Sequence, residues 1–239
     1  MVQITVSEKD YKESNLLYAQ SLLASLSAQI GFTLKCDTLG SRSILTLNCP
    51  EYYADAVSIE LADILAEIVA INYKYDFFKK RVRVSGLSKL EYEILMASLI
   101  SADLEDDKRY TLDKLRGIKE LAVDGIYNFR LQPLKRKWEE IVSYMPTCFV
   151  NSQLKDFISF LIENKHKTVF VEDQRVYDYN YRRLNRAKLL GGDELILLRE
   201  ILLSGADQVE IKGNIPSLDE KYLKEYYGDR VYFVSSFTS

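Results

Sequence analysis

The chain has 239 residues, 47% of them apolar and 28% charged, with a formal net charge of −3. That length buries a sizeable core as one large domain or two small ones, and the composition is that of a globular protein. The small negative charge argues against a strongly cationic nucleic-acid-binding surface overall, while leaving room for a local basic patch.

Val2 to Val6, VQITV, alternates as a short strand. Ser7 with Asp10 three residues on has capping-box spacing, so a helix is predicted to follow at once. Leu16, Ala19, Leu23, Leu26 and Ile30 form its stripe, and Gly31 ends it. Phe32–Cys36 and Ser43–Asn48 read as strands joined by turn chemistry around Gly40. The opening is therefore a β-α-β-β unit.

Ala54, Val57, Leu61, Ile64, Ile68, Ile71, Tyr75 and Phe78 then keep a three-four rhythm without Pro or Gly, which predicts one long helix. Leu65, Val69 and Phe77 widen its stripe beyond a coiled-coil seam, so packing against a sheet and other helices is expected. Lys79, Lys80, Arg81 and Arg83 complement the dipole at its end. Ser88 and Glu91 form a capping box for a further helix with Leu90, Ile94, Leu95 and Leu99 on its face. Asp103–Arg109, DLEDDKR, reads as a solvated charged linker, because the fixed acidic positions and glycine of a Ca²⁺ loop are absent.

The central stretch runs from Thr111, read as an N-cap, to Met145. Leu112, Leu115, Ile118, Ala122, Ile126 and Phe129 share one helical face, which Gly117 and Gly125 weaken. Pro133 predicts a kink or break. A second register follows with Leu134, Trp138, Ile141, Val142 and Met145. Trp138 reads as a core anchor, with an exposed docking role as the alternative.

After Pro146, Leu154, Phe157, Ile158 and Leu161 predict a short helix. Thr168–Tyr181, TVFVEDQRVYDYNY, reads as two strands around a turn at Asp173-Gln174, with Tyr177, Tyr179 and Tyr181 alternating on the second. Arg182, Arg183, Arg186 and Lys188 follow as the densest basic cluster of the second half. Tyrosines alternating beside arginines suit the stacking of RNA bases, and equally an ordinary half-exposed hairpin. Gly191-Gly192-Asp193 is read as opening the next helix, and without a Walker lysine or a complete GxGxxG it is a weak phosphate signal. Gln208–Lys212 is a strand, Ser217 and Glu220 cap a helix that stops at Gly228, and Val231–Val234 is the last strand. Helical crossovers between these strands favour parallel pairing.

The expected fold class is α+β: a β-α-β-β opening, long central helices, and a small C-terminal α/β unit with a hairpin and a helix-strand-helix-strand ending. The segments read as 1–108, 109–146 and 147–239. Cys36, Cys49 and Cys148 form no CxxC pair and lie far in sequence from the single histidine, His166. Neither a disulfide framework nor a metal site is expected, and reduced thiols in a cytoplasm are. No apolar run approaches the roughly 20 residues that span a bilayer. Glu8, Asp10 and Glu13 stand where a secretion signal would be apolar. No GxSxG or HExxH pattern appears, and His166 lies in the polar turn Asn164-Lys165-His166-Lys167, so no catalytic residue and no cofactor is assigned.

Three stretches resemble the sporulation protein YtxC family of spore-forming Firmicutes: LADILAEIVAINYKYDFFKKRV (Leu61–Val82), DGIYNFRLQPLKRKWEEIV (Asp124–Val142) and GADQVEIKGNIPSLDEKYLKEYYGDRVYFV (Gly205–Val234). Asn128, Phe129, Arg130, Leu131 and Trp138 carry the most specific part of the likeness. Pro133 departs from it, because the family's helix is expected to continue there. The resemblance implies a cytoplasmic, sporulation-linked protein with no established biochemical activity, and supplies no catalytic residues. The sequence therefore points to a non-enzymatic interaction or scaffold protein acting through a protein partner or self-association. The alternative is an RNA- or DNA-binding protein using Tyr179, Tyr181, Arg182, Arg183, Arg186 and Lys188.

Overall fold

The computed structural model of the protein describes residues 1–116, 121–163 and 165–235. Its elements are, in order, β1 (Val2–Lys9), α1 (Glu13–Ile30), β2 (Thr33–Leu39), β3 (Arg42–Cys49), α2 (Ala54–Ile68), α3 (Lys74–Arg81), α4 (Lys89–Ser101), α5 (Leu104–Leu115), β4 (Leu121–Ala122), α6 (Val123–Phe129), α7 (Gln132–Ser143), α8 (Asn151–Ile162), β5 (Thr168–Glu172), β6 (Arg175–Tyr177), α9 (Ile196–Ser204), β7 (Gln208–Lys212), α10 (Ser217–Tyr227) and β8 (Val231–Phe233). The fold is α+β. It divides into two compact units, each built from two separate stretches of chain: Met1–Phe77 with Glu105–Ser143, and Phe78–Leu104 with Tyr144–Ser239. These cuts differ from the three consecutive segments read from the sequence.

The first unit holds a sheet of order β2-β3-β1-β4. β1 and β2 both run antiparallel to β3, and β4 adds parallel to β1 through Val6↔Leu121 and Ser7↔Ala122. Period-two alternation buries Ser43, Leu45, Leu47 and Cys49 of β3 and leaves the intervening side chains half-buried. α1 packs on this inner face through Leu16, Ala19 and Leu23, and Gly31 closes it at φ +73°. The capping box expected at Ser7 is not formed. β1 continues to Lys9 because Ser7, Glu8 and Lys9 still pair with Ile44, Ser43 and Arg42, and the Ser7 hydroxyl accepts from Arg42 at 3.0 Å. A 3₁₀ turn, Asp10–Lys12, then leads into α1.

The long helix forms, with an interruption the rhythm does not show. Between α2 and α3 lies a π turn, Val69–Tyr73. The extra residue in this turn shifts the helical phase. Val69, Ala70, Ile71 and Tyr73 are all buried there, and Lys74 after them is fully buried.

Three expectations in and just before the central stretch are corrected. Asp103–Arg109 is not a loop, because from Leu104 onward it belongs to α5. Glu105, Asp106 and Asp107 form its first turn, where carboxylates suit the positive end of the helix dipole. Thr111 is therefore no N-cap. It lies inside α5, buried, and its hydroxyl donates to the Asp107 carbonyl four residues back at 2.8 Å. Gly117 and Ile118 fall outside the described residues. The predicted break at Pro133 is present, since α6 ends at Phe129 and α7 starts at Gln132. Phe129, placed on the apolar face by its spacing, is 84% exposed. α6 starts a new phase at Val123, and its buried residues are Val123 and Ile126.

The second unit holds a sheet of order β6-β5-β7-β8, with β5, β7 and β8 parallel and β6 antiparallel at the edge. Val169, Val171, Val176, Val209 and Ile211 form its buried face. α4, α8, α9 and α10 pack against one another, burying Ile94, Leu95, Leu154, Ile158, Leu198, Ile201 and Leu223. The predicted capping box of α4 is present: Ser88 Oγ accepts the Glu91 N–H at 3.3 Å and Glu91 Oε2 accepts the Ser88 N–H at 2.7 Å. Gly86 allows a close approach, because at φ +92° an added Cβ would lie 2.9 Å from the Phe149 carbonyl oxygen. Ser217 is the first residue of α10 rather than its side-chain cap, since the preceding Pro216 occupies the cap position. Among the described residues no helix is long and apolar enough to cross a membrane.

Candidate functional site

The second sheet has one face, opposite its buried valines, whose side chains are half-buried or exposed. On β5, Val169 and Val171 point inward, so Thr168, Phe170 and Glu172 take the opposite face. Strand register sets Phe170 level with Tyr177 on β6 and Glu210 on β7, and Glu210 level with Tyr232 on β8. The next row is Arg175, Glu172 and Lys212, in which Lys212 Nζ meets Glu172 Oε1 at 2.6 Å. Tyr181 lies over this face. Its ring stacks on Phe170 with centroids 5.1 Å apart and planes 14° apart, and reaches Tyr177 at 6.1 Å.

Local turn chemistry places Tyr181 there. Asp173 and Gln174 sit at φ +50° and +60°, which suits a two-residue hairpin between β5 and β6. β6 stops at Tyr177, so the strand of alternating tyrosines expected from the sequence is not formed. Instead Asp178 Oδ1 accepts the N–H groups of Asn180 at 2.8 Å and Arg182 at 2.9 Å, an Asx-type turn. Tyr181 takes φ +58° within it. The Leu184 N–H then donates to the Val176 carbonyl at 2.8 Å and returns the chain alongside β6.

The turn keeps four of the expected residues together. Tyr179, 76% exposed, is at its tip, Tyr181 folds onto the sheet, and Arg182 and Arg183 are exposed at its base. Arg186 differs. Its backbone N–H donates to Glu200 Oε1 at 2.9 Å and its guanidinium reaches the Leu203 carbonyl at 3.5 Å, so it serves as a half-buried pin. Lys188 is exposed on the separate turn Arg186–Leu190. Sequence reasoning missed Phe170, Glu172, Glu210, Lys212 and Tyr232. The alternation of Thr168, Phe170 and Glu172 with two valines signals an open face, but the strands beside it are distant in sequence.

Charge on this face is mixed. Partial desolvation and then the Glu172 and Glu210 carboxylates push the Tyr181 phenol above its ordinary value, with Lys212 opposing. The hydrogen bond to Glu172 in turn raises the Lys212 ammonium.

The glycine pair does not open α9 as a phosphate cradle. Arg199, 1% exposed, donates to the carbonyls of Gly191 at 2.7 Å and Gly192 at 2.8 Å, so backbone oxygens converge on a cation, and α9 starts later, at Ile196. His166 precedes β5 at φ +51°, and its N–H and that of Lys167 donate to Asp207 at 3.0 and 2.8 Å. Desolvation opposes the charge on Asp207, and those backbone amides nevertheless hold it below the usual carboxylate range.

The first unit contains a polar cluster that the sequence does not announce. Glu8 is buried and accepts the Tyr73 hydroxyl on both oxygens, at 2.8 and 2.7 Å. Desolvation raises the Glu8 carboxyl, with Tyr73 and the Lys9 N–H opposing. The same burial, then the Glu8 charge, pushes the Tyr73 phenol far up. Lys12 joins Asn72 at 2.5 Å and Asp76 at 2.7 Å. Asp107 receives Lys74 at 2.7 Å, Lys137 at 2.7 Å and the Trp138 indole at 2.8 Å. Trp138 is thus the core anchor expected of it. Leu131 is also buried, Asn128 and Arg130 are exposed with Phe129, and the Asn128 carbonyl accepts from Gln132. Each of these contacts closes one protein group onto another, which is the chemistry of a locked core.

No protein-family profile matches the chain, and neither does any curated protein or solved structure.

Proposed function

We propose that the protein acts as a non-enzymatic interaction or scaffold protein, docking a protein partner on the open face of its second sheet. The observation that carries this reading is the character of that face. The rings of Phe170, Tyr177, Tyr181 and Tyr232 are interleaved with Glu172, Glu210 and Lys212. Aromatic rings with both signs of charge around them suit a protein surface. Carboxylates in the middle of a stacking platform repel a phosphate backbone. The resemblance to the YtxC family supports a cytoplasmic role linked to sporulation.

A second reading, single-stranded nucleic-acid binding, is favoured by the exposed Tyr179 with Arg182 and Arg183 on one turn. One experiment separates the two. The tagged protein is recovered from its own sporulating cells with and without nuclease, beside the variants Tyr179→Ser/Tyr232→Ser and Arg182→Glu/Arg183→Glu. A protein that survives nuclease and high salt, and is lost with the tyrosine pair, supports docking. Nucleic acid that co-purifies, falls steeply with salt and disappears with the arginine pair overturns it.

A further inference from the structure

We propose that the chain forms a two-fold symmetric dimer by pairing the outer edge of β2 with the same strand of a second copy. This stands independently of the partner proposed for the second sheet.

β2 ends the order β2-β3-β1-β4, and among the described residues it pairs only with β3. Its seven residues, Thr33–Leu39, expose every other side chain or more. Such an edge is a template for another strand unless something blunts it.

The turn fixes which groups are offered. Leu39 pairs with Arg42 across Gly40-Ser41, a two-residue hairpin loop, so Leu39 and Arg42 exchange backbone hydrogen bonds. Alternation then turns the backbone groups of Thr33, Lys35, Asp37 and Leu39 toward β3. Those of Leu34, Cys36 and Thr38 point away from it, toward the free edge.

This outward set is symmetric about Cys36. An antiparallel copy centred there sets Cys36 against the partner's Cys36, and Leu34 against the partner's Thr38. It also sets Lys35 against the partner's Asp37, and Asp37 against the partner's Lys35. Opposite charges thus face each other twice, in the closer, non-hydrogen-bonded pairs. Centring the pairing one residue either way opposes Lys35 to itself or Asp37 to itself, which is destabilising. Within one chain Lys35 and Asp37 already lie 2.9 Å apart on the solvent side, so the dimer assembles a four-charge cluster there.

A second observation lies on the other side of the sheet. α1 packs beside β2 and carries no charged residue after Glu13. Its exposed positions include Leu17, Ser21, Leu22, Ala24, Ser25 and Ala28. A solvent-facing helix surface ordinarily carries charges. The two-fold axis through Cys36 brings this small, neutral surface toward its own copy, where small side chains permit close approach.

The test is a charge swap read by sedimentation and light scattering on the full chain. Lys35→Asp and Asp37→Lys, each alone, oppose like charges twice and are expected to weaken dimerisation tenfold or more. The double variant Lys35→Asp/Asp37→Lys restores the complement and is expected to restore the dimer. Trp138 emission monitors folding of each variant. In parallel, Cys148→Ser leaves Cys36 as the accessible thiol, because Cys49 is buried. A short bis-maleimide should then give a covalent dimer that Cys36→Ser abolishes. A monomer at high micromolar concentration, a dimer indifferent to the single swaps, or cross-linking that persists without Cys36 overturns the proposal.

Discussion

The indole N–H of Trp138 donates to Asp107 Oδ2 at 2.8 Å, and neither side chain reaches solvent to more than 1%. The same oxygen receives the fully buried Lys74 ammonium at 2.7 Å. One carboxylate therefore compensates a buried cation and satisfies a buried indole. Asp107→Ala takes this carboxylate from both, and the expected loss is about 3–5 kcal/mol. Lys74→Met in the same chain should recover part of it, because the buried charge is then gone. Urea unfolding followed by the single tryptophan measures both variants. A loss under about 1 kcal/mol in Asp107→Ala would mean the pair is no linchpin.

Glu8 is the group to follow with pH. Burial raises its carboxyl above the ordinary value of 4.5, so the folded state holds that proton more tightly than the unfolded chain. Its contribution is then complete below the unfolded value and declines as pH rises through the folded one. Glu8→Gln cannot ionise. Its Tm relative to the wild type should climb as pH rises above the ordinary carboxyl value of 4.5, and melting curves that stay parallel there contradict the assignment.

Gly86→Ala should destabilise the second unit. The alanine must hold a left-handed backbone and place its methyl against the Phe149 carbonyl oxygen, 2.9 Å from the ideal Cβ. The expected cost is about 1–3 kcal/mol from the backbone alone. Thermal unfolding checks it, with Gly125→Ala as the control, since there the nearest neighbour is the Ala122 methyl at 3.5 Å.

Arg199→Lys should loosen the segment that precedes α9. A single ammonium does not reproduce a guanidinium that reaches two successive carbonyls, Gly191 at 2.7 Å and Gly192 at 2.8 Å. Cleavage in that segment under limited proteolysis should accelerate several-fold. An unchanged cleavage rate would show that the buried Leu190 and Leu195 hold it unaided.

Elements with a local signal were legible: the Ser88–Glu91 capping box, the Gly31 and Gly228 stops, the turn at Asp173-Gln174 and the break at Pro133. What failed depended on partners remote in sequence. Asp103–Arg109 looks like a loop because its charges are dense, and only Lys74, Lys137 and Trp138 make Asp107 an interior residue. Phe129 fits a stripe that ends when α6 restarts the phase. Tyr179 and Tyr181 alternate in sequence, but the carboxylate of Asp178 captures two amides and folds the chain over before a longer strand can form. The open face of the second sheet was visible as one alternating strand and hidden as a surface, since β7 and β8 arrive some forty and sixty residues after β5.

Both units are discontinuous, and that sets an order for synthesis. The ribosome releases Phe78–Leu104 before the first unit has its second stretch, Glu105–Ser143. That hairpin of helix must wait, with Ile94, Leu95 and Leu99 uncovered, until residues beyond Tyr144 appear. The first unit can close only when α7 has emerged and Trp138 finds Asp107. A cut after Ser143 keeps both stretches of the first unit but carries Phe78–Leu104 with them, and a cut after Phe77 keeps both stretches of the second but carries Glu105–Ser143. Each such product would hold, beside one complete interior, a stretch whose own core lies largely on the other piece.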